Sequence, residues 1–276
     1  GMDATLKTRK GCFTSPFTMS ATTVNTEKTE IYKMSSSKKV LGILGGLGPL
    51  AGVYFYQLIT SHTKACRDQD HLDVIVVSGA STPDRTDYIT GKSMDSPLPK
   101  MKEDVKKLAL AGAEIIAVPC NTAHFFFDEL DSFSHVPVLN IVRETAEHIK
   151  AKNAKKVGVL ATDGTVLSGS YKREFERLGI EYAVPCECDQ KALMEIIYKS
   201  IKASGKPDIG RFNEIADKLR DKGCDHLILG CTELSLLPKE EMTQKNITVD
   251  SLFVLAKNAI TLCGAVPCGF DDIYNT

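Results

Sequence analysis

Apolar residues in this chain come in short unbroken runs separated by longer stretches of mixed polarity. Val74-Ile-Val-Val77 and Leu227-Ile-Leu229 have no polar break, the pattern of strands buried on both faces of a sheet. Runs of this kind predict strands over residues 39–44, 72–78, 114–119 and 136–139, then 155–160, 181–185, 225–229 and 247–249. The stretches between them predict helices over 50–64, 97–111, 121–130, 141–150, 164–178, 190–204, 209–222, 232–237 and 251–263. Pro49 stands at a favourable first-turn position for the first of these helices. Residues 79–96 form a long polar connection, of a length that often carries function. Strand alternating with helix predicts parallel sheets with helices on both faces.

The pattern also restarts. Lys155-Lys-Val-Gly-Val-Leu160 echoes Lys38-Lys-Val-Leu-Gly-Ile-Leu44 with one shift of register. The clearest duplication is a pair of cysteines. Gly112-Ala-Glu-Ile-Ile-Ala-Val-Pro-Cys120-Asn-Thr-Ala-His124 and Gly223-Cys-Asp-His-Leu-Ile-Leu-Gly-Cys231-Thr-Glu-Leu234 each place a glycine eight positions before the cysteine, and Leu108 and Leu219 each stand twelve before it. The expected organisation is therefore two pseudo-symmetric α/β domains, each a short parallel sheet flanked by helices. Residues 38–140 plus 250–268 make the first, 141–249 the second, and 1–37 and 269–276 are tails. Ligands of such sheets sit beyond the carboxyl ends of the strands. Both cysteines, the Gly45-Gly-Leu-Gly-Pro49 loop and the Thr162-Asp-Gly-Thr165 loop fall there, which predicts one cleft between the domains.

Composition narrows the choice. The chain has 276 residues, 43% hydrophobic and 25% charged, with a net charge of −1. No strong field gathers nucleic acid or an anionic membrane. No apolar run approaches the ~18 residues of a transmembrane helix. Nine cysteines without a Cys-x-x-Cys pair weaken zinc and thioredoxin readings and suit small buried thiols in a reducing compartment. A cytoplasmic location is expected. Gly1 before Met2 reads as a cloning remnant, and Met34 is an alternative start. Residues 2–37 read as disordered, and their scarcity of acids leaves organelle import open.

The thiolate is the reactive form of cysteine, with a free pKa near ~8.5. Exposed N–H groups at a helix start favour an anion; Cys120 and Cys231 both occupy that position, so either could be a thiolate near neutral pH. Two thiols facing across a cleft can take a proton from one side of a carbon and return one on the other, which inverts a stereocentre.

Pro119-Cys-Asn-Thr-Ala-His124, Leu229-Gly-Cys-Thr-Glu-Leu234 and Gly45-Gly-Leu-Gly-Pro49 together resemble the signatures of the aspartate racemase branch of the cofactor-independent aspartate/glutamate racemase family. The Asp-Ser-Gly start usual in glutamate racemases is absent, and Leu47 stands where Met is common. The likeness runs over about residues 38–265. It implies an amino-acid racemase acting on aspartate or a close acidic relative, with neither pyridoxal phosphate nor metal, and a homodimer. It implies Cys120 and Cys231 as acid and base, and Asn121, Thr122 and Thr232 as groups holding the amino acid and the thiols. Thr165 and Thr162 belong to the second-domain loop that contacts substrate. Arg85 and Lys202 match the positive residues assigned to the side-chain carboxylate. Gly48 lets the backbone approach a carboxylate, and Glu233 either caps its helix or orients a site group.

Other readings stand beside this one. Gly46-Leu-Gly-Pro-Leu-Ala51 fits a dinucleotide fingerprint, but Asp73 starts the second strand and Ser78 ends it, where an acid is required at the end. His124 and His226 lack clustered ligand spacing, and His124 is expected to pack or to support Cys120. A maleate isomerase or decarboxylase of the same superfamily, a non-catalytic acidic amino-acid binding protein and a redox thiol switch are the alternative functions.

Overall fold

The structure, a computed structural model, describes residues 38–203 and 205–270. The readings made for residues 1–37, for the helix end at 204 and for the tail from 271 onward lie outside them.

Two four-stranded parallel sheets with helices around them make up the fold. The first contains β1 (Leu41–Gly45), β2 (Val74–Ser78), β3 (Ile115–Ala117) and β4 (Val138–Leu139) in the order β2-β1-β3-β4. The second contains β5 (Lys156–Leu160), β6 (Glu181–Ala183), β7 (His226–Leu229) and β8 (Thr248–Asp250) in the order β6-β5-β7-β8. All the pairings are parallel, so the carboxyl ends of each sheet's strands share one edge.

The helices are α1 (Pro49–Ser61), α2 (Arg85–Ile89), α3 (Leu98–Leu110), α4 (Phe127–Phe133), α5 (Ile141–Ala151), α6 (Asp163–Ser168), α7 (Ser170–Leu178), α8 (Glu187–Glu195), α9 (Ile209–Asp221) and α10 (Ser251–Leu262). Side-chain caps fix several starts. Asp84 accepts from the Asp87 N–H, Asn140 from Val142 and Arg143, Thr162 from Thr165, and Asp250 from Leu252, each satisfying an otherwise orphaned donor.

The duplication extends into the packing. A Cβ on Gly42 of β1 would meet Leu108 Cδ2 at 3.4 Å, and one on Gly158 of β5 would meet Leu219 Cβ at 3.2 Å. The two leucines set twelve positions before the cysteines thus press their helices onto equivalent glycines.

The structure departs from the sequence reading in five places. β2 is not buried on both faces: it lies at a sheet edge with β1 as its neighbour, and Val76 is exposed. The connection over 79–96 contains α2. The helix expected over 164–178 breaks at Gly169, which takes a left-handed φ of 65° between α6 and α7. The segments after both cysteines begin as 3-10 turns, Thr122–Phe126 and Thr232–Leu236, rather than α-helices. In addition α8 starts three residues earlier than expected and runs on as a π-helical turn, Ile196–Ile201.

Candidate active site

Cys120 follows β3 and Cys231 follows β7, so each leaves the carboxyl edge of its sheet beside the next turn. Both line one small cavity of about 10 Å³, room for a single water. Arg85, Asn121, Thr122, Thr162, Lys202, Thr232 and Glu233 line it too. So do Asp84, Thr86 and Tyr198, which the sequence reading did not single out. Gly48 lines a second cavity of about 430 Å³, which shares Asp84, Arg85, Lys202 and Glu233 with the first. Thr165 lines neither; its hydroxyl stands 2.9 Å from that of Thr122 and 3.2 Å from that of Thr162.

Thr122 and Thr162 are themselves 2.9 Å apart, so three hydroxyls join the turn after Cys120 to the start of α6. From the other sheet, the Thr232 hydroxyl donates to the Pro119 carbonyl at 3.2 Å. Asn121 accepts from the Tyr171 hydroxyl at 2.8 Å and donates to Ser251 Oγ at 3.0 Å, which donates onward to the Leu229 carbonyl at 2.7 Å. These bonds fix the turns that carry the thiols. They also commit Asn121 Oδ1 and one Nδ2 proton to the scaffold.

His124 is buried behind Cys120. The Ile141 N–H donates to its Nε2 at 3.2 Å. Nδ1 then carries the proton and donates to the Cys120 carbonyl at 2.8 Å. Burial lowers its pKa, opposed by the bond to the Cys120 carbonyl, so the ring is neutral and supports the turn.

Burial works against the thiolate form of both cysteines in this arrangement. Burial pushes the Cys120 thiol up; the Arg85 charge opposes it, the Glu233 charge adds to it, and the Ala123 N–H and Lys202 oppose it. Burial pushes Cys231 up further, with the Glu233 charge and a hydrogen bond to that carboxylate adding and Lys202 opposing. Desolvation outweighs the start of a short turn as a source of anion stabilisation.

Arg85 is 7% exposed. Its Nη1 donates to the Pro83 carbonyl at 2.9 Å and to Thr82 at 3.4 Å, and its Nη2 to the Leu47 carbonyl at 2.6 Å. Its Nε has no partner. The guanidinium therefore ties the glycine loop to the segment before α2 and keeps one buried donor free. Lys202 Nζ lies 3.9 Å from both Asp84 Oδ2 and Glu233 Oε1, and 4.0 Å from the centre of the Tyr198 ring. Burial lowers the Lys202 pKa, but Glu233, Tyr198, Cys231 and Asp84 together raise it, so it is held as a cation. Burial likewise lifts the Asp84 carboxyl, and the Asp87 N–H, Lys202, Arg85 and Tyr198 together bring it below its usual value. Tyr198 is pushed up to about 12, chiefly by burial.

Away from both cavities, Cys186 Sγ lies 3.2 Å from Cys188 Sγ and 3.1 Å from Asp189 Oδ2, a gathering of ligand atoms that the sequence reading did not foresee. Lys218 and Arg211 already hold the Asp189 carboxylate, at 2.8 and 2.9 Å. No helix among the described residues is long and apolar enough to cross a membrane.

Residues 44–259 match the family model described as Asp/Glu/hydantoin racemase. The chain is 26% identical over 230 residues to a broad specificity amino-acid racemase of Bacillus subtilis, covering 80% of this chain and 97% of that protein. A glutamate racemase of Corynebacterium kroppenstedtii is 30% identical over 150 residues, about half of each chain. Among solved structures, an aspartate racemase of Picrophilus torridus superposes with a TM-score of 0.73 at 30% identity, covering 86% of this chain and all of that one.

Proposed function

The chain belongs to the Asp/Glu/hydantoin racemase family, and on that footing we propose that it interconverts L- and D-aspartate, or a close acidic amino acid, by proton transfer at the α-carbon. One observation carries the reading: two cysteines from matched positions of two equivalent sheets line the same small cavity without a disulfide between them.

In the proposed step one thiolate removes the α-proton and becomes a thiol. The carbanion takes a proton from the opposite thiol, which becomes a thiolate. The product has inverted configuration, and the opposite enantiomer uses the same groups in reverse. The free Arg85 Nε–H and the Lys202 ammonium offer positive charge to the side-chain carboxylate, while the turn after Cys120 and the Thr162 loop hold the α-carboxylate. Neither pyridoxal phosphate nor a metal enters this scheme. A cytoplasmic homodimer completes the proposal; exposed Leu50, Val53 and Tyr56 on the outer face of α1 support a self-association surface.

The test is solvent-deuterium exchange with each pure enantiomer. The parent should incorporate deuterium at the α-carbon of both and racemise both. Cys120→Ser and Cys231→Ser should each abolish racemisation with the fold intact, while a single-base exchange of one enantiomer survives. Racemisation at the parental rate by either variant shows that its cysteine is not a base.

A further inference from the structure

Two carboxylates face the cleft, and they differ in how they are satisfied. Asp84 accepts from the Tyr198 hydroxyl on both oxygens, at 3.2 Å each, and from the Asp87 N–H at 3.0 Å. Glu233 Oε2 accepts from Cys231 Sγ at 3.1 Å, with the Thr232 hydroxyl, whose proton it shares with the Pro119 carbonyl, 3.4 Å away. Glu233 Oε1 accepts from nothing, although the residue is only 5% exposed. The nearby Lys202 ammonium is 3.9 Å from it, beyond hydrogen-bonding reach. A buried acceptor left without a donor is costly, and Glu233 lines both cavities.

An acidic amino acid brings two carboxylates and one ammonium. Arg85 and Lys202 suit its carboxylates, but its ammonium needs an anion or an acceptor near the α-carbon. The α-carbon must sit between the thiols, and Glu233 is already bonded to one of them. Of the two cleft carboxylates, only Glu233 has an oxygen free to receive it. We infer that Glu233 Oε1 receives the α-ammonium of the substrate, so that one carboxylate holds both that ammonium and the Cys231 thiol. The inference rests on the racemase reading and names a contact within the same site.

It has a consequence for ionisation. The Glu233 charge and its hydrogen bond both raise the Cys231 pKa. An ammonium on Oε1 offsets that charge, so substrate binding itself eases the loss of the Cys231 proton. Glu233 positions one thiol and binds one ligand group. Cys120 feels the Glu233 charge too but makes no hydrogen bond to that carboxylate, and its main charged partner is Arg85, which already favours its thiolate. The two thiols are therefore unequal before substrate arrives.

Binding measurements with L-aspartate and with succinate test this directly, because succinate keeps both carboxylates and lacks the ammonium. In Glu233→Gln, calorimetric titration should show aspartate weakened at least tenfold and succinate changed less than twofold. The limb of the pH profile of kcat/KM that reports Cys231 should move to lower pH. Gly48→Ala supplies an independent variant, because a Cβ there would clash with Oε1 and must displace the carboxylate without removing its charge. It should show the same selective loss of aspartate. Equal weakening of both ligands, or of neither, in folded variants overturns the ammonium contact. If the parent racemises and this pattern is missing, the inference fails and the racemase reading stands. If the parent exchanges no α-proton yet the pattern is present, the contact stands and the racemase reading fails.

Discussion

Arg85 is where the sequence reading and the structure pull in different directions. Its terminal nitrogens are tied to three backbone carbonyls and its Nε has no partner, so it both braces the glycine loop and offers a charge to the cleft. Removing one partner of a buried charge pair costs about 3–5 kcal/mol, which is 10²-fold or more in affinity. Arg85→Ala should therefore weaken turnover of aspartate about 100-fold more than turnover of alanine; comparing kcat/KM for the two checks it, and equal losses assign Arg85 to the loop alone. A second residue lies outside the proposed chemistry. Asp250 is wholly buried, caps α10 and accepts from Ser235 at 2.7 Å, while its Oδ2 has no partner. Burial raises its pKa from 3.8 to about 6. The folded chain thus binds this proton more tightly than the unfolded chain, and the stability it contributes is full below pH 3.8 and lost as pH rises through about 6. That loss is on the order of 3 kcal/mol. Asp250→Asn should flatten the pH dependence of unfolding between pH 4 and 6 and gain on the parent at about pH 7.5, as read by urea melts across pH. A parallel profile for both chains would show that Asp250 does not titrate in this window. The cysteines were legible because they are duplicated at matched offsets. Tyr198 was missed, although it stands four positions before Lys202 in a helical segment, the spacing that stacks one side chain on the other. Asp84 was missed because its cap and its place in the cleft depend on α2, which the polar composition of residues 79–96 concealed.

The strands were legible one by one along the chain, since each apolar run became a strand and the restart of the pattern fell on the second sheet. What the pattern did not give was breaks within helices. Residues 164–178 read as one helix because Ser-Gly-Ser is only a weak interruption, yet the left-handed Gly169 ends α6 and starts α7. That turn lets α6 carry Thr165 to the hydroxyl cluster while α7 brings Tyr171 to Asn121. A side chain with a Cβ in this conformation costs about 1–2 kcal/mol. Gly169→Ala should lower the melting temperature by about 2–8 °C for a chain of this size, measured by circular dichroism. No change in melting would mean that the turn readily adopts another conformation. The 3-10 turns after the cysteines escaped the sequence for a related reason. Their shape is set by bonds to the opposite sheet, such as Thr232 to Pro119, and local propensity carries no record of such partners. β2 misled in the opposite sense: its apolar run suits a central strand, but sheet order puts it at the edge.

At the scale of the whole molecule, the duplicated halves share one core. A single apolar cluster runs from Leu41, Ile43 and Phe55 beside the first sheet through Ile141 and Ile149 of α5 to Val157, Leu160 and Leu229 of the second. A second cluster, with Leu44, Met101 and Ile116, covers the other face of the first sheet. α10 follows the last strand of the second sheet and packs against α1 and α5. Leu252, Phe253, Val254, Leu255, Ala256, Ala259 and Ile260 of that helix are all buried, so it lies inside the shared core rather than on a surface. After it, the Lys39 N–H donates to the Cys263 carbonyl at 2.9 Å and the Cys268 N–H to the His62 carbonyl at 2.8 Å, tying the segment after α10 to the start of β1 and the end of α1. Shared burial couples the unfolding of the two halves, because neither can lose its packing without exposing apolar surface of the other. Calorimetry should accordingly show one transition, with a calorimetric enthalpy equal to the van't Hoff value. Truncation after Asp250 removes α10 and strips both sheets of a common neighbour, and the product should lose cooperative melting altogether. Two resolved transitions in the intact chain, or a cooperative melt after truncation, would show that each sheet is stable by itself and that the cleft joins two independent bodies. The proposed site sits at this junction, so in a one-transition molecule any change that loosens the shared core should also loosen the spacing of the two thiols.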